Sequence, residues 1–162
     1  MTENRPIIYD ATIKNVRLGK DVKIVNPVNL YGCVIGDYTF IGPFVEIQKD
    51  VNIGKNCRIQ SHSFICELVT IGERCFISHG TMFVNDLFTK GGPAGGNKAF
   101  WKESNVGNCV SIGTNATILP VNICDNVVIG AGAVVTKDIT ESGFYVGNPA
   151  GKLKDFPVEN TE

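Results

Sequence analysis

His62 and His79 are the side chains of this 162-residue chain whose ordinary pKa places proton exchange near neutral pH. An imidazole of that kind is suited to general acid–base work. Carboxylates and amides stand before and after them in the sequence at Glu46, Gln48, Asn85 and Asp86, groups able to orient a polar or cationic substrate. The other reactive candidates are six cysteines, at positions 33, 57, 66, 75, 109 and 124. They form no CxxC pair and do not stand with a histidine at zinc-finger spacing, so no metal is expected. In a secreted chain the same six would suggest a disulfide framework. The elements that position these groups decide between the readings.

Those elements are strands. The chain holds 18 Val and 17 Ile against 6 Leu and 7 Ala, a β-branched bias that disfavours a helical bundle. With 18 Gly and 15 Asn it reads as short strands between tight turns. A net charge of -1 gives no electrostatic reason to expect nucleic acid as a partner. No apolar run approaches the roughly 18 residues of a membrane span, so no membrane partner is expected. The start, Met1 to Pro6, lacks the basic-then-apolar layout of a secretory signal, and the expected location is cytoplasmic.

A repeat organises the strands. Ile35, Ile41, Ile47, Ile53, Ile59, Ile65, Ile71, Ile77 and Phe83 follow one another at every sixth residue. Four places after each of the first eight stands a small or β-branched residue: Thr39, Val45, Val51, Cys57, Ser63, Val69, Cys75, Thr81. An earlier phase holds Leu18, Ile24 and Leu30, and the pattern resumes as Val106, Ile112, Ile118, then Ile123, Ile129, Val135. A period of six fits a short strand plus a bend. Three such sides close a coil of 18 residues, and stacked coils pair as parallel strands about 4.8 Å apart. The expectation is an all-β parallel β-helix of roughly six coils, a single domain over 1–162.

In that register Cys33, Cys57 and Cys75 take the small inward position, where a thiol acts as a compact apolar filler. His62 and His79 fall at the same corner on successive coils, both facing outward. Between Phe83 and Val106 the period breaks, and 17 extra residues must leave the coil as an extruded loop at about 86–105. Its Gly91-Gly-Pro-Ala-Gly-Gly96 run makes it flexible, and Phe100-Trp101 gives it an apolar tip. It is either a tolerated insertion or an arm that reaches a neighbouring subunit and walls a ligand site. Residues 153–162 form a short polar tail.

The repeat of an aliphatic residue, Gly, two variable residues and a small one resembles the hexapeptide-repeat acyltransferases over about residues 12 to 140. The resemblance implies a left-handed coil and a homotrimer with sites between subunits. The γ-class carbonic anhydrases share that fold, but they need three histidines where this chain has two. The segments Phe44-Val-Glu-Ile-Gln48, Gln60 to Glu67 and His79 to Asp86 look like the nucleotide-linked amino-sugar N-acetyltransferases. That likeness implies acetyl-CoA as co-substrate and the amine of a UDP- or dTDP-linked sugar as acceptor. His79 is then the candidate base, with Asn85 or Asp86 positioning the amine. Glu46, Gln48, His62, Phe64 and Trp101 are the candidate substrate-binding residues. Ala131, Lys137, Asn148 and Pro149 are the candidates for acetyl-CoA, with Lys152 and Lys154 as further phosphate partners. Loss of the proton through solvent or the CoA sulfur would leave His79 a binding residue only. O-acetylation of a small hydroxyl acceptor, and a non-catalytic scaffold, are the competing readings.

Overall fold

The computed structural model describes residues 12–156. The amino-terminal start and the end of the polar tail, 157–162, lie outside the described residues. Short parallel strands stack on three faces. The first face runs Ile13–Lys14, Asn29–Tyr31, Glu46–Ile47, Phe64–Ile65, Met82–Phe83, Thr117–Ile118 and Val134–Val135. The second runs Arg17–Leu18, Val34–Ile35, Asn52–Ile53, Val69–Ile71, Ser104–Val106 and Asn122–Ile123. The third runs Lys23–Ile24, Phe40–Ile41, Arg58–Ile59, Phe76–Ile77, Ser111–Ile112, Val127–Ile129 and Gly143–Val146, and closes with Gly151–Lys154. The parallel β-helix is therefore present, with seven strands on its first face where about six coils were expected. The seventh strand of that face is Ile13–Lys14, which pairs in parallel with Asn29–Tyr31 ahead of the pattern's first residue, Leu18, and the third face is lengthened at the other end by Gly143–Val146, which pairs in parallel with Val127–Ile129. Gly151–Lys154 then returns antiparallel, so the predicted tail begins inside a strand.

The hexad explains each turn. From Val34–Ile35 to Val134–Val135 every strand ends on its large apolar residue, and Ile35 through Ile77 are all buried along the axis. Each such side chain contributes about 1.5–3 kcal/mol relative to exposure. Three residues later the chain bends through the left-handed region, with φ of 56–71° at Tyr38, Phe44, Asp50, Asn56, His62, Leu68 and Arg74. That conformation is unfavourable for most of these side chains, and the ladder of inter-coil hydrogen bonds holds it. At the corner between the second and third faces, glycines stack on glycines. A Cβ on Gly54 would lie 2.6 Å from Gly72 O, closer than any real contact.

Where the small inward position holds a polar side chain, that side chain is also hydrogen-bonded. Thr39 Oγ1 donates to Gly54 O at 3.0 Å, and Ser63 Oγ donates to Ser78 O at 3.0 Å. The thiols follow the same rule: Cys57 Sγ donates to Gly72 O and Cys75 Sγ to Gly107 O, each at 3.1 Å. Cys33, Cys57 and Cys75 are buried as expected, but Cys57 and Cys75 also supply a hydrogen to a bend carbonyl of the next coil. At Thr39, Ser63, Cys57 and Cys75 a bend carbonyl thus gains a side-chain donor, which Val45, Val51 and Val69 at the same repeat position do not supply. All six cysteines are free.

No helix among the described residues is long and apolar enough to cross a membrane. The single 3-10 turn among them, Lys98–Phe100, lies in the extruded loop. That loop differs from expectation at its tip. Asp86 and Trp101 form an antiparallel bridge, and Lys102 N donates to Asn85 O at 2.9 Å, so Trp101 sits at the base of the loop. The glycine run 91–96 is tied back to this base by Ala94 N, which donates to Asp86 Oδ2, while Ser104-Asn105 already belong to the second face.

Candidate active site at the histidine corner

Both histidines lie at the corner between the third and first faces, as the repeat requires, but at adjacent positions of the hexad. His62 occupies the left-handed bend position itself, with φ 63°. His79 stands one residue before it, followed by Gly80 at φ 67°. Gly80 N donates to Ser61 O at 3.0 Å and Asn115 N donates to His79 O at 2.9 Å. This register stacks Ser61, His79, Thr114 and Ala131 in one column, and Phe44, His62, Gly80, Asn115 and Gly132 in the next.

The two rings consequently take different partners. The His62 ring stacks on Phe44 with centroids 4.9 Å apart and planes tilted by 30°. His79 Nδ1 lies 2.8 Å from Ser61 Oγ. Both imidazoles are exposed. A Cβ on Gly80 would come within 2.2 Å of Asn115 Oδ1, so a side chain there would require the Asn115 amide to swing aside. Ser61 did not stand out in the sequence, although stepping back one coil of 18 residues from His79 leads to it.

Further along the axis the same corner reaches Ala131 and Gly132 and then Asn148 and Pro149, all exposed. Gly147 O accepts from Val134 N at 3.0 Å and Ala150 N donates to Val134 O at 2.8 Å, which clips this segment to the last coil. Nothing lies within 4 Å of a Cβ built on Gly132, so the backbone is open there to a flexible chain. Three of the four acetyl-CoA candidates thus continue the histidine corner. Lys137 does not: it falls on the opposite edge of the first face, one six-residue side away, because it follows Val135 as Asn85 follows Phe83. The lysines offered as phosphate partners are otherwise engaged. Lys152 bridges Glu141 at 2.9 Å and Asp155 at 2.7 Å, which together raise its pKa, and Lys154 Nζ sits 4.8 Å from the Phe144 ring centroid.

The polar candidates on the first face are split between its two edges. Glu46 and Phe64 are cross-strand neighbours beside the histidine corner, and Met82 extends their column. Gln48, Glu67 and Asn85 lie toward the other edge, where the loop departs. A chain of hydrogen bonds crosses between the edges. Gln48 Nε2 donates to Glu46 Oε1 at 2.9 Å, Glu67 N donates to Gln48 Oε1 at 3.3 Å, and Asn85 Nδ2 donates to Glu67 O at 3.2 Å. Burial, with the charges of Glu46 and Glu67, raises the Tyr31 phenol above its ordinary value and keeps it a neutral donor.

Asn85 therefore has its amide oxygen to offer. Asp86 is more committed: Oδ1 accepts from Phe88 N at 2.9 Å and Oδ2 from Ala94 N at 2.7 Å, which shapes the loop. Glu67 and Lys98, not singled out from the sequence, form the ion pair that docks the loop on this edge. Lys98 Nζ is also 3.8 Å from Asp50 and 5.7 Å from the Trp101 ring centroid. Burial pushes the neighbouring Cys66 thiol up to about 12. Among the described residues no three His, Cys, Asp or Glu side chains cluster as a metal site would need.

Comparison with known proteins agrees with this architecture. Residues 32–67 match the family described as bacterial transferase hexapeptide (six repeats), and residues 105–137 match the hexapeptide repeat of succinyl-transferase. The bifunctional protein GlmU of Aquifex aeolicus is 35% identical over 121 residues, covering 74% of this chain but 24% of that protein. The chain thus spans about a quarter of that relative's length. AntD, an N-acyltransferase from Bacillus cereus solved with dTDP and coenzyme A, superposes with a TM-score of 0.70 at 22% identity, covering 87% of this chain and 83% of AntD. A hexapeptide-repeat acetyltransferase of Vibrio cholerae, solved with acetyl-coenzyme A, gives a TM-score of 0.64 at 24% identity, covering 78% and 72%. At these identities the solved structures bear on the fold alone. With hexapeptide matches on both sides of the loop and an aliphatic residue at every sixth position along the axis, the chain belongs to the hexapeptide-repeat family of parallel β-helices.

Proposed function

We propose that this protein is an acetyl-CoA-dependent N-acetyltransferase acting on the amine of a nucleotide-linked amino sugar. The observation that carries the reading is the continuity of one exposed corner. His79, bonded to Ser61 Oγ at 2.8 Å, lies on the same edge as the open backbone of Ala131 and Gly132. A thioester arm laid along that edge would bring its carbonyl to the imidazole. The relatives support the substrate class: AntD is described as an N-acyltransferase and was solved with dTDP and coenzyme A. The amine nitrogen attacks the thioester carbonyl, a C–N bond forms, the C–S bond breaks, and CoA leaves as its thiol. The amine proton goes to His79 Nε2, a transfer of the kind worth about 10²–10⁴ in rate, and the imidazolium passes it on to the departing sulfur, so that His79 ends neutral and CoA leaves as its thiol.

Asn85 Oδ1 and the Glu46 carboxylate are the groups that would hold the ammonium before it is deprotonated. They stand on opposite edges of the first face, and the docked loop rises from the Asn85 edge. A site that uses both the histidine corner and the loop edge is most compactly made between two copies, and the oligomer proposed is a homotrimer with three such sites. The expected partners are therefore the nucleotide sugar, acetyl-CoA and two further copies of the chain.

The test is acetyl transfer by the intact chain from acetyl-CoA to a panel of UDP- and dTDP-linked amino sugars, read out as CoA release and product mass. Transfer to an amino sugar and not to its hydroxyl analogue supports the reading. Transfer only to hydroxyl acceptors, or to none of the panel, overturns it.

A further inference from the structure

Ser61 Oγ is the one side-chain partner of His79 among the described residues. The contact is built into the coil. The backbone bonds Gly80 N to Ser61 O and Asn115 N to His79 O place residue 61 directly beneath residue 79. Gly80, at φ 67°, turns the chain just after the histidine. Ring orientation at this corner is therefore set by the coil stack, with Nδ1 toward Ser61 and Nε2 away from it.

A neutral imidazole has one N–H, and a hydroxyl can either donate to Nδ1 or accept from it. The two arrangements respond differently to proton uptake. If Ser61 donates to Nδ1, the lone pair at Nε2 is absent and the bond must break before Nδ1 can be protonated. If Nδ1–H donates to Ser61 Oγ, Nε2 carries the lone pair, and the imidazolium keeps the same bond in a stronger, charge-assisted form. Only the second arrangement suits a histidine that gains a proton during turnover.

We propose that Ser61 is the positioning residue of His79: its Oγ accepts from Nδ1–H, which presents Nε2 as the proton acceptor for the attacking amine. This rests on the proposed acetyl transfer for its catalytic meaning, while the pairing itself stands on the coil register. The second histidine has no such arrangement, since His62 stacks on Phe44.

The experiment uses the full chain labelled with 15N in its two histidines, with Ser61→Ala, Ser61→Thr and His79→Gln as variants. His79→Gln assigns the resonances. Ring 15N shifts then report the tautomer of His79 above its titration. The wild type and Ser61→Thr are expected in the Nδ1–H form, and Ser61→Ala is expected to revert to the Nε2–H form that free imidazole side chains favour. In transfer assays kcat is expected to fall roughly tenfold in Ser61→Ala with KM unchanged, within what one hydrogen bond supplies, and to return in Ser61→Thr. An unchanged tautomer in Ser61→Ala overturns the proposal, as does a kcat loss that Ser61→Thr fails to restore. If no amino sugar is acetylated by the wild type, the proposed function fails alone, and the 15N shifts still decide whether Ser61 sets the tautomer.

Discussion

Gly54→Ala tests how rigidly the coils are spaced. A Cβ at this position would meet Gly72 O at 2.6 Å, Gly72 C at 2.7 Å and Glu73 N at 2.9 Å, all of them backbone atoms of the next coil. No side chain can swing aside, so the two coils must separate by the better part of 0.8 Å to reach 3.4 Å, the near edge of ordinary contact. Both coils are fixed above and below by ladder bonds such as Gly54 N to Ile71 O at 2.8 Å, which such a shift would stretch. Overpacking of this kind costs about 1–3 kcal/mol. For a chain of this size that lowers Tm by roughly 2–12 °C. The same two coils carry Ser61 and His79 one corner later, so the opening is also expected to lengthen their 2.8 Å contact and reduce acetyl transfer. The assay is thermal unfolding of Gly54→Ala beside Gly92→Ala, whose Cβ meets nothing within 4 Å and whose Tm is expected to stay within about a degree. Equal melting temperatures for the two variants would refute the idea that coil contact, and not merely turn conformation, requires glycine at 54.

Four further outcomes are expected. His79→Ala lowers kcat for amine acetylation by about 10²–10⁴ while leaving Tm near that of the wild type, as activity and unfolding assays together would show. Cys57→Ser, which keeps a donor for Gly72 O, costs less than about 1 kcal/mol, whereas Cys57→Ala leaves that carbonyl without its side-chain donor and costs about 1–2 kcal/mol by denaturant titration. Thiol labelling of the native chain modifies Cys109 and Cys124 first, since Cys33, Cys57, Cys66 and Cys75 are buried and burial holds Cys33 at about 11 and Cys66 at about 12. Asp125 accepts from Asn108 N at 2.7 Å, which holds its carboxyl below the usual value. Its stabilisation is thus full above about pH 5 and fades as pH falls toward the lowered folded value, so the Tm gap between wild type and Asp125→Asn narrows as pH falls below about 5 in a melting series.

The six-residue spacing of Ile35 to Phe83 was enough to read the architecture, because a side chain repeated at one interval can face one axis only if the chain turns at that interval. It also placed Thr39, Ser63 and the three inward cysteines correctly in the interior. It could not show what those residues do there, because an unbonded carbonyl at a bend is visible only when the next coil is in place. The loop gives the opposite case. Its length follows from the missing hexads, yet Trp101 belongs at its base, and only the pairing with Asp86 reveals that.

At the site, the sequence put both histidines on one corner, since positions 62 and 79 differ by one residue less than a full coil. That single residue of offset decides everything local: His62 falls on Phe44 and His79 on Ser61, two different chemistries from one corner. The amino-acid order dictates the coil, its interior and the break in its wall, all consequences of hydrophobic periodicity along the chain. Which side chains touch across the coils was left to the folded arrangement, because residues 18 apart become neighbours only through the ladder of backbone bonds that sets one coil upon the next.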